Sequence, residues 1–277
     1  MTIAIGAEFE GGAIVCADTK VSASDGATSY GSKTFLGVSA TRKMYALANS
    51  CEDAYAAKML GAEISAAISD TDKQSRIEPG IKSVMEAWYN GYRHVQPPQV
   101  QFILAFTQEG WKSAALYYCE PPNTVAYGSP IAIGKGSRAV DPVLNLLGPT
   151  AEEKPDVKAT LLRMAYLMYL AKRDEAAACG GETYAIVIAG GGGFTMVGEA
   201  EMKQAEETAK KLSNAFNGGI FRLTSSQQRS LDEFYQGINA VLESYKGFEF
   251  SSLKFLERKL WDRSPKRPAS QKSQRTP

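Results

Sequence analysis

The chain has 277 residues, is 44% hydrophobic and carries 31 basic against 30 acidic side chains. That is enough apolar material for a substantial core, and a near-zero balance shows neither the basic footprint of a nucleic-acid binder nor a field that would gather acidic substrates. Four cysteines, Cys16, Cys51, Cys119 and Cys179, stand far apart with no C-x-x-C pair. A single histidine, His94, cannot complete a metal site with them, so neither a metal nor another cofactor is expected.

The opening MTIAIGAEFEGG lacks a basic leader followed by an apolar run, and no stretch approaches the roughly 20 apolar residues of a membrane span. A cytoplasmic protein with reduced thiols and no membrane contact is the expectation. In chain order, residues 3–9 and 13–17 are short apolar runs joined by Glu10-Gly11-Gly12, a hairpin signature. Strand-like runs follow at 34–38 and 44–48. An Ala-rich helix is expected over 52–68, and Ile81, Val84, Met85, Trp88, Tyr89 and Tyr92 form the stripe of a second helix. Strands return at 100–106 and 113–119, helices at 137–147 and 157–172, and strands again at 184–189 and 194–197. Pro142 must sit near a helix start or cause a kink.

Strands, two helices, strands, two helices, strands: this order predicts an α+β fold, a four-layer αββα sandwich in which two antiparallel sheets face each other under outer helices. Residues 2–197 would form this core. Over 198–261 a helical extension of the same domain is expected, with Met202, Ala205, Ala209, Leu212 and Phe216 in one stripe and Leu231, Phe234, Tyr235 and Ile238 opening another. The segment 262–277 is rich in Pro, Ser, Lys and Arg without apolar periodicity, and reads as a disordered basic tail.

The run TIAIGAEFEGGAIVCADTKVSASDG resembles the mature N-terminus of proteasome β subunits, of the bacterial proteasome-related type, and the resemblance extends to about Gly190. Thr2, the turn at residues 8–12 and Asp18-Thr19-Lys20 stand in the family's register. The resemblance implies an N-terminal-nucleophile (Ntn) hydrolase fold, a threonine-type peptidase or amidohydrolase acting on a peptide or protein, and a homo-oligomeric ring. Physical chemistry agrees with the placement. A threonine hydroxyl needs a base, and a free α-amine with a reference pKa of about 7.7 to 8.0 can be one only after Met1 is removed.

The remaining site residues are implied by the same resemblance. Lys33 would supply positive charge beside Thr2, with Asp18 orienting it, and the base role stays open between Lys33 and the amine. Asn49, where the family has glycine, would offer a backbone oxyanion donor. Asp174 becomes a carboxylate behind the nucleophile, and Cys179 stands where serine is usual. In Gly134-Lys135-Gly136-Ser137, Lys135 replaces a serine that contacts the terminal threonine; it either shares the charge role of Lys33 or, as expected here, points to solvent, with Ser137 in support. Lys20 and Leu47 fall at substrate-binding positions, Leu47 suggesting an apolar side chain before the scissile bond.

Other motifs are weaker. Gly134-Lys135-Gly136-Ser137 lacks the spacing of a phosphate loop, residues 190–193 join two strands and read as a turn, and Cys16 reads as an inert hydrophobe. Two rival functions follow from the departures at Lys135 and Cys179 and from acyl-enzyme chemistry: a noncatalytic ring or scaffold subunit, and a transpeptidase using the same nucleophile.

Overall fold

The computed structural model describes residues 2–22, 28–38, 43–51, 53–69, 76–92, 95–128, 130–144 and 155–223, together with 236, 239–240, 243–244 and 246–254. In chain order the elements are β1 (Ala4–Phe9), β2 (Gly12–Asp18), β3 (Lys20–Ser22), β4 (Thr28–Tyr30), β5 (Thr34–Val38), β6 (Lys43–Cys51), α1 (Ala54–Ser69) and α2 (Ile77–Gly91). There follow β7 (Val100–Gln108), β8 (Ala115–Glu120), β9 (Thr124–Tyr127), β10 (Ile131–Ile133), α3 (Ser137–Leu144), α4 (Val157–Asp174), β11 (Thr183–Ala189), β12 (Gly193–Val197) and α5 (Glu199–Leu223).

Two five-stranded antiparallel sheets result, ordered β10-β1-β2-β11-β12 and β5-β6-β7-β8-β9, with β3 and β4 as a separate pair. Side chains alternate between the faces of a strand, and the two faces here differ in size. Ala4, Ala13, Val15 and Ala17 of the first sheet meet Ala46, Ala48, Ile103, Ala105 and Leu116 of the second. Small residues let the sheets approach closely: a Cβ on Gly6 would come within 2.5 Å of Ile103 Cγ2. Both faces of β1 and β2 are therefore covered, which is why these strands are buried along their whole length.

The outward faces carry the larger side chains and take the helices. Leu47, Phe102, Leu104 and Phe106 pack against Leu60, Ile64 and Ile68 of α1 and Ile77, Ile81 and Met85 of α2. Ile3, Ile5, Phe9 and Ile14 pack against Leu161, Ala165 and Met168 of α4 and Met202 and Ala205 of α5. Asp156 caps α4 by accepting the Ala159 N–H at 2.6 Å, and Lys172 and Arg173 stand in its last turn, where cations oppose the helix dipole.

Every strand and helix expected among the described residues is present, with ends moved by a few positions. The short strands β3, β4, β9 and β10 were not expected, because three or four residues hold too little alternation to register. Pro142 lies inside α3 rather than in its first turn. The expected tail at 262–277, most of the second stripe from Leu231 onward, and His94 lie outside the described residues.

Candidate active site

Thr2 leads into β1, alongside the end of β2, and the Asp18 N–H donates to the Ile3 carbonyl at 3.2 Å. The Ile3 N–H returns a bond to Asp18 Oδ1 at 3.2 Å. Lys33 directly precedes β5, and β6 holds its main chain from the side. Both the backbone N–H and the side-chain Nδ2 of Asn49 donate to the Lys33 carbonyl, at 3.1 and 3.2 Å. Pairing within each sheet thus brings two distant parts of the chain to the end of β2.

There the Thr2 hydroxyl donates to Asp18 Oδ1 and accepts from Lys33 Nζ. Lys33 Nζ also donates to Asp18 Oδ1 at 2.8 Å and to the carbonyl of Lys20. Three acceptors around one nitrogen match the three protons of an ammonium, whereas a neutral amine has only two to give. The other carboxylate oxygen, Asp18 Oδ2, accepts the Gly180 N–H at 2.8 Å. Thr2, Asp18 and Lys33 are 1%, 0% and 8% exposed. Burial pulls the Lys33 pKa below its ordinary 10.5, and the neighbouring Asp18 carboxylate opposes that shift.

A second layer fixes the residues around this cluster. The Gly136 N–H donates to the Thr2 carbonyl at 3.2 Å. Gly134 has φ +88 and passes so close that an added Cβ would strike the same carbonyl oxygen. Its N–H donates to Gln101 Oε1 at 3.2 Å. Lys20 Nζ donates to the Ala176 carbonyl at 2.7 Å, and Thr19 Oγ1 accepts the Glu182 N–H at 3.0 Å. Cys179 is buried beside Gly136, and burial pushes its thiol up to about 12. A thiol held neutral in this way is a poor nucleophile.

Some expected site residues stand elsewhere. The backbone N–H of Asn49 is committed to Lys33, so Asn49 does not supply a free oxyanion donor; it anchors the lysine instead. Asp174 ends α4 with its side chain 43% exposed, paired with Arg173 at 2.5 Å, and makes no bond to Thr2, Asp18 or Lys33 among the described residues. Ser137 begins α3, its N–H donating to Gly134 rather than to Thr2. Lys135 is exposed. Leu47 lines a cavity of about 510 Å³ together with Phe35, Tyr45, Ala57, Gly61 and Ala66. Gln101 and the carbonyl of Lys20 complete the surroundings and were not foreseen, because no motif marks a main-chain carbonyl or a glutamine that another strand brings into place.

Among the described residues no group of His, Cys, Asp and Glu side chains could hold a metal ion, and no helix is long and apolar enough to cross a membrane.

No protein-family model and no curated protein matches the chain. Solved structures do. It is similar to Anbu (ancestral beta-subunit) from Yersinia bercovieri, at 9% identity and TM-score 0.60, over 82% of this chain and 98% of that one. A Gly-1 mutant of Anbu from Hyphomicrobium sp. strain MC1 matches at 13% identity and TM-score 0.59, over 82% and 98% of the two chains. The Anbu complex from Pseudomonas aeruginosa matches at 12% identity and TM-score 0.61, over 82% and 99%. These neighbours correct the family resemblance named from the sequence: Anbu is proteasome-related, but it is a family distinct from the proteasome β subunits whose N-terminus the opening run resembles. Identity this low carries the fold alone, and by fold the chain is similar to the proteasome-related Anbu structures.

Proposed function

We propose that the chain is a threonine-type N-terminal-nucleophile amidohydrolase, acting on peptides through an acyl-enzyme on Thr2. One observation carries this reading: the Thr2 hydroxyl lies between a buried ammonium and a buried carboxylate, bonded to both. Removal of Met1 frees the α-amine, which takes the hydroxyl proton as Oγ1 attacks the carbonyl. The Lys33 ammonium favours the developing alkoxide, and Asp18 keeps the ammonium charged and in place. As the C–N bond breaks, the amine returns its proton to the leaving nitrogen. Water then hydrolyses the ester, releasing the acid and restoring Thr2.

Several features support the wider reading. Helices on the outer faces of two apposed sheets suit a four-layer αββα arrangement. We include residues 198–261 in the same domain, since α5 packs on α4 and Phe248, Phe250 and Leu253 join the core around Ile5. The apolar cavity lined by Leu47 suits an apolar side chain on the acyl side of the scissile bond, while Lys20 acts through its carbonyl on Lys33 rather than on substrate. The Pseudomonas aeruginosa Anbu complex is described as a helical assembly, which supports assembly of this chain into a homo-oligomer; a cytoplasmic location is part of the proposal and does not come from that structure.

Turnover of fluorogenic peptides tests the reading. Thr2→Ser keeps a hydroxyl beside an amine and retains activity; Thr2→Ala loses it while keeping the wild-type fold and assembly. Equal turnover by Thr2→Ala and the wild type would end the proposal. The engaged N–H of Asn49 favours a second reading, a noncatalytic scaffold with the same fold, for which neither the wild type nor any variant cleaves.

A further inference from the structure

A second cavity, of about 260 Å³, shares no lining residue with the apolar one. Ser50, Cys51, Gln99, Gln101, Gly134, Lys135 and Arg138 line it, and among the described residues no carboxylate does. It adjoins the candidate nucleophile, because Gly134 lies against both the Thr2 carbonyl and Ser50 Oγ. Lys135 and Arg138 are both exposed, and neither is paired with a carboxylate among the described residues. In a chain whose formal charge is only +1, two unpaired cations over one cavity are a local concentration of charge rather than a share of a general excess.

The wall between them is held in place. Gln101 Oε1 accepts the Gly134 N–H at 3.2 Å, while Gln101 Nε2 donates to Tyr118 Oη at 3.1 Å and to Glu120 Oε1 at 3.3 Å. The Tyr118 hydroxyl donates to the same carboxylate. This chain of bonds runs from Glu120 through Gln101 into the turn that carries Lys135, and the Gly136 N–H ties the turn to the Thr2 carbonyl. The main chain that carries Lys135 is thereby tied to Thr2.

We infer that this cavity is a substrate subsite for a carboxylate, taken by Lys135 and Arg138 within reach of the bond that Thr2 attacks. The inference rests on the hydrolase reading for its substrate and deepens it: the preferred peptide carries an acidic side chain, or its own terminal carboxylate, beside the scissile bond. Guanidinium and ammonium donors bind a carboxylate in charge-assisted bonds, and the Ser50 hydroxyl and Gln99 amide can serve its remaining lone pairs.

Two measurements test it. In the first, mass spectrometry follows acetylation of Lys135 in the presence of N-acetylglutamate α-amide, N-acetylalanine or N-acetylglutamine α-amide, with no turnover required. The first or second ligand slows acetylation severalfold, naming a side-chain or a terminal carboxylate as the source, the neutral glutamine analogue does not, and Arg138→Gln reduces the protection. Equal protection by the neutral analogue, or none from either carboxylate, overturns the inference. In the second, the wild-type chain digests a random peptide library, and cleaved products show Asp, Glu or a chain terminus near the cut at roughly tenfold excess, the scale of two exposed ion pairs. Cleavage without that excess overturns the inference and leaves the hydrolase reading standing. Protection of Lys135 in a chain that cleaves nothing does the reverse.

Discussion

Lys33 sits where two opposing effects meet: burial disfavours its charge, and Asp18 at 2.8 Å restores it. Replacing it with methionine leaves Asp18 buried beside a hydroxyl without its counter-ion, which costs about 3–5 kcal/mol, the usual penalty for breaking a buried pair. Urea denaturation of Lys33→Met at neutral pH checks this loss. The pH dependence has a definite sign. Because the folded pKa lies below the ordinary 10.5, the wild type gains stability relative to Lys33→Met as pH rises from the folded value toward 10.5. That gain is complete above 10.5 and is lost as pH falls through the folded pKa. A wild-type minus variant difference that stays flat across that window contradicts the burial described here.

The sequence made three of these residues legible for a physical reason. Thr2, Asp18 and Lys33 each lie within two residues of a strand end, so the resemblance of the opening run and the strand pattern locate them together. Where Asn49 and Asp174 stand depends on bonds that a linear pattern does not encode. The Asn49 amide is spent on its neighbour across the β5–β6 junction, and the adjacent Arg173 holds Asp174 at the surface.

Among the elements, the turn at residues 134–136 does the most to place the nucleophile, since it touches the Thr2 carbonyl from Gly134 and Gly136 and links β10 to α3. Gly134 combines a positive φ of +88 with contact on Thr2, so a methyl group there meets both backbone strain and a collision. Gly134→Ala is expected to destabilise the fold by about 1–3 kcal/mol and to push Thr2 away from Lys33. Denaturation measures the first effect, and a crystal structure of the variant the second. A variant of wild-type stability with Thr2 unmoved would remove the turn from the account. The long strands and helices were readable because each buries one face against a large apolar cluster, which imposes a period on the sequence. This turn was readable only through the family resemblance, and its contact with Gln101 not at all, since that bond joins β7 to a loop more than thirty residues away.

Across the whole molecule, two sheets with small residues between them and helices outside place the open ends of β2, β5 and β6 around one cluster. Beyond β12, α5 and the segment at 248–253 still pack onto the cluster that contains Ile3 and Ile5. That packing was only partly legible: the Met202-Ala205-Ala209 stripe announced α5, while Phe248 and Phe250 stand outside any helical period. The chemistry proposed here needs this frame to present a processed N-terminus. Intact mass spectrometry of the natively expressed chain, before and after a threonine-directed β-lactone, tests that need most directly. Loss of Met1 and one covalent adduct, mapped to Thr2 and absent from Thr2→Ala, is the predicted result; a retained Met1 with no adduct on Thr2 would contradict it.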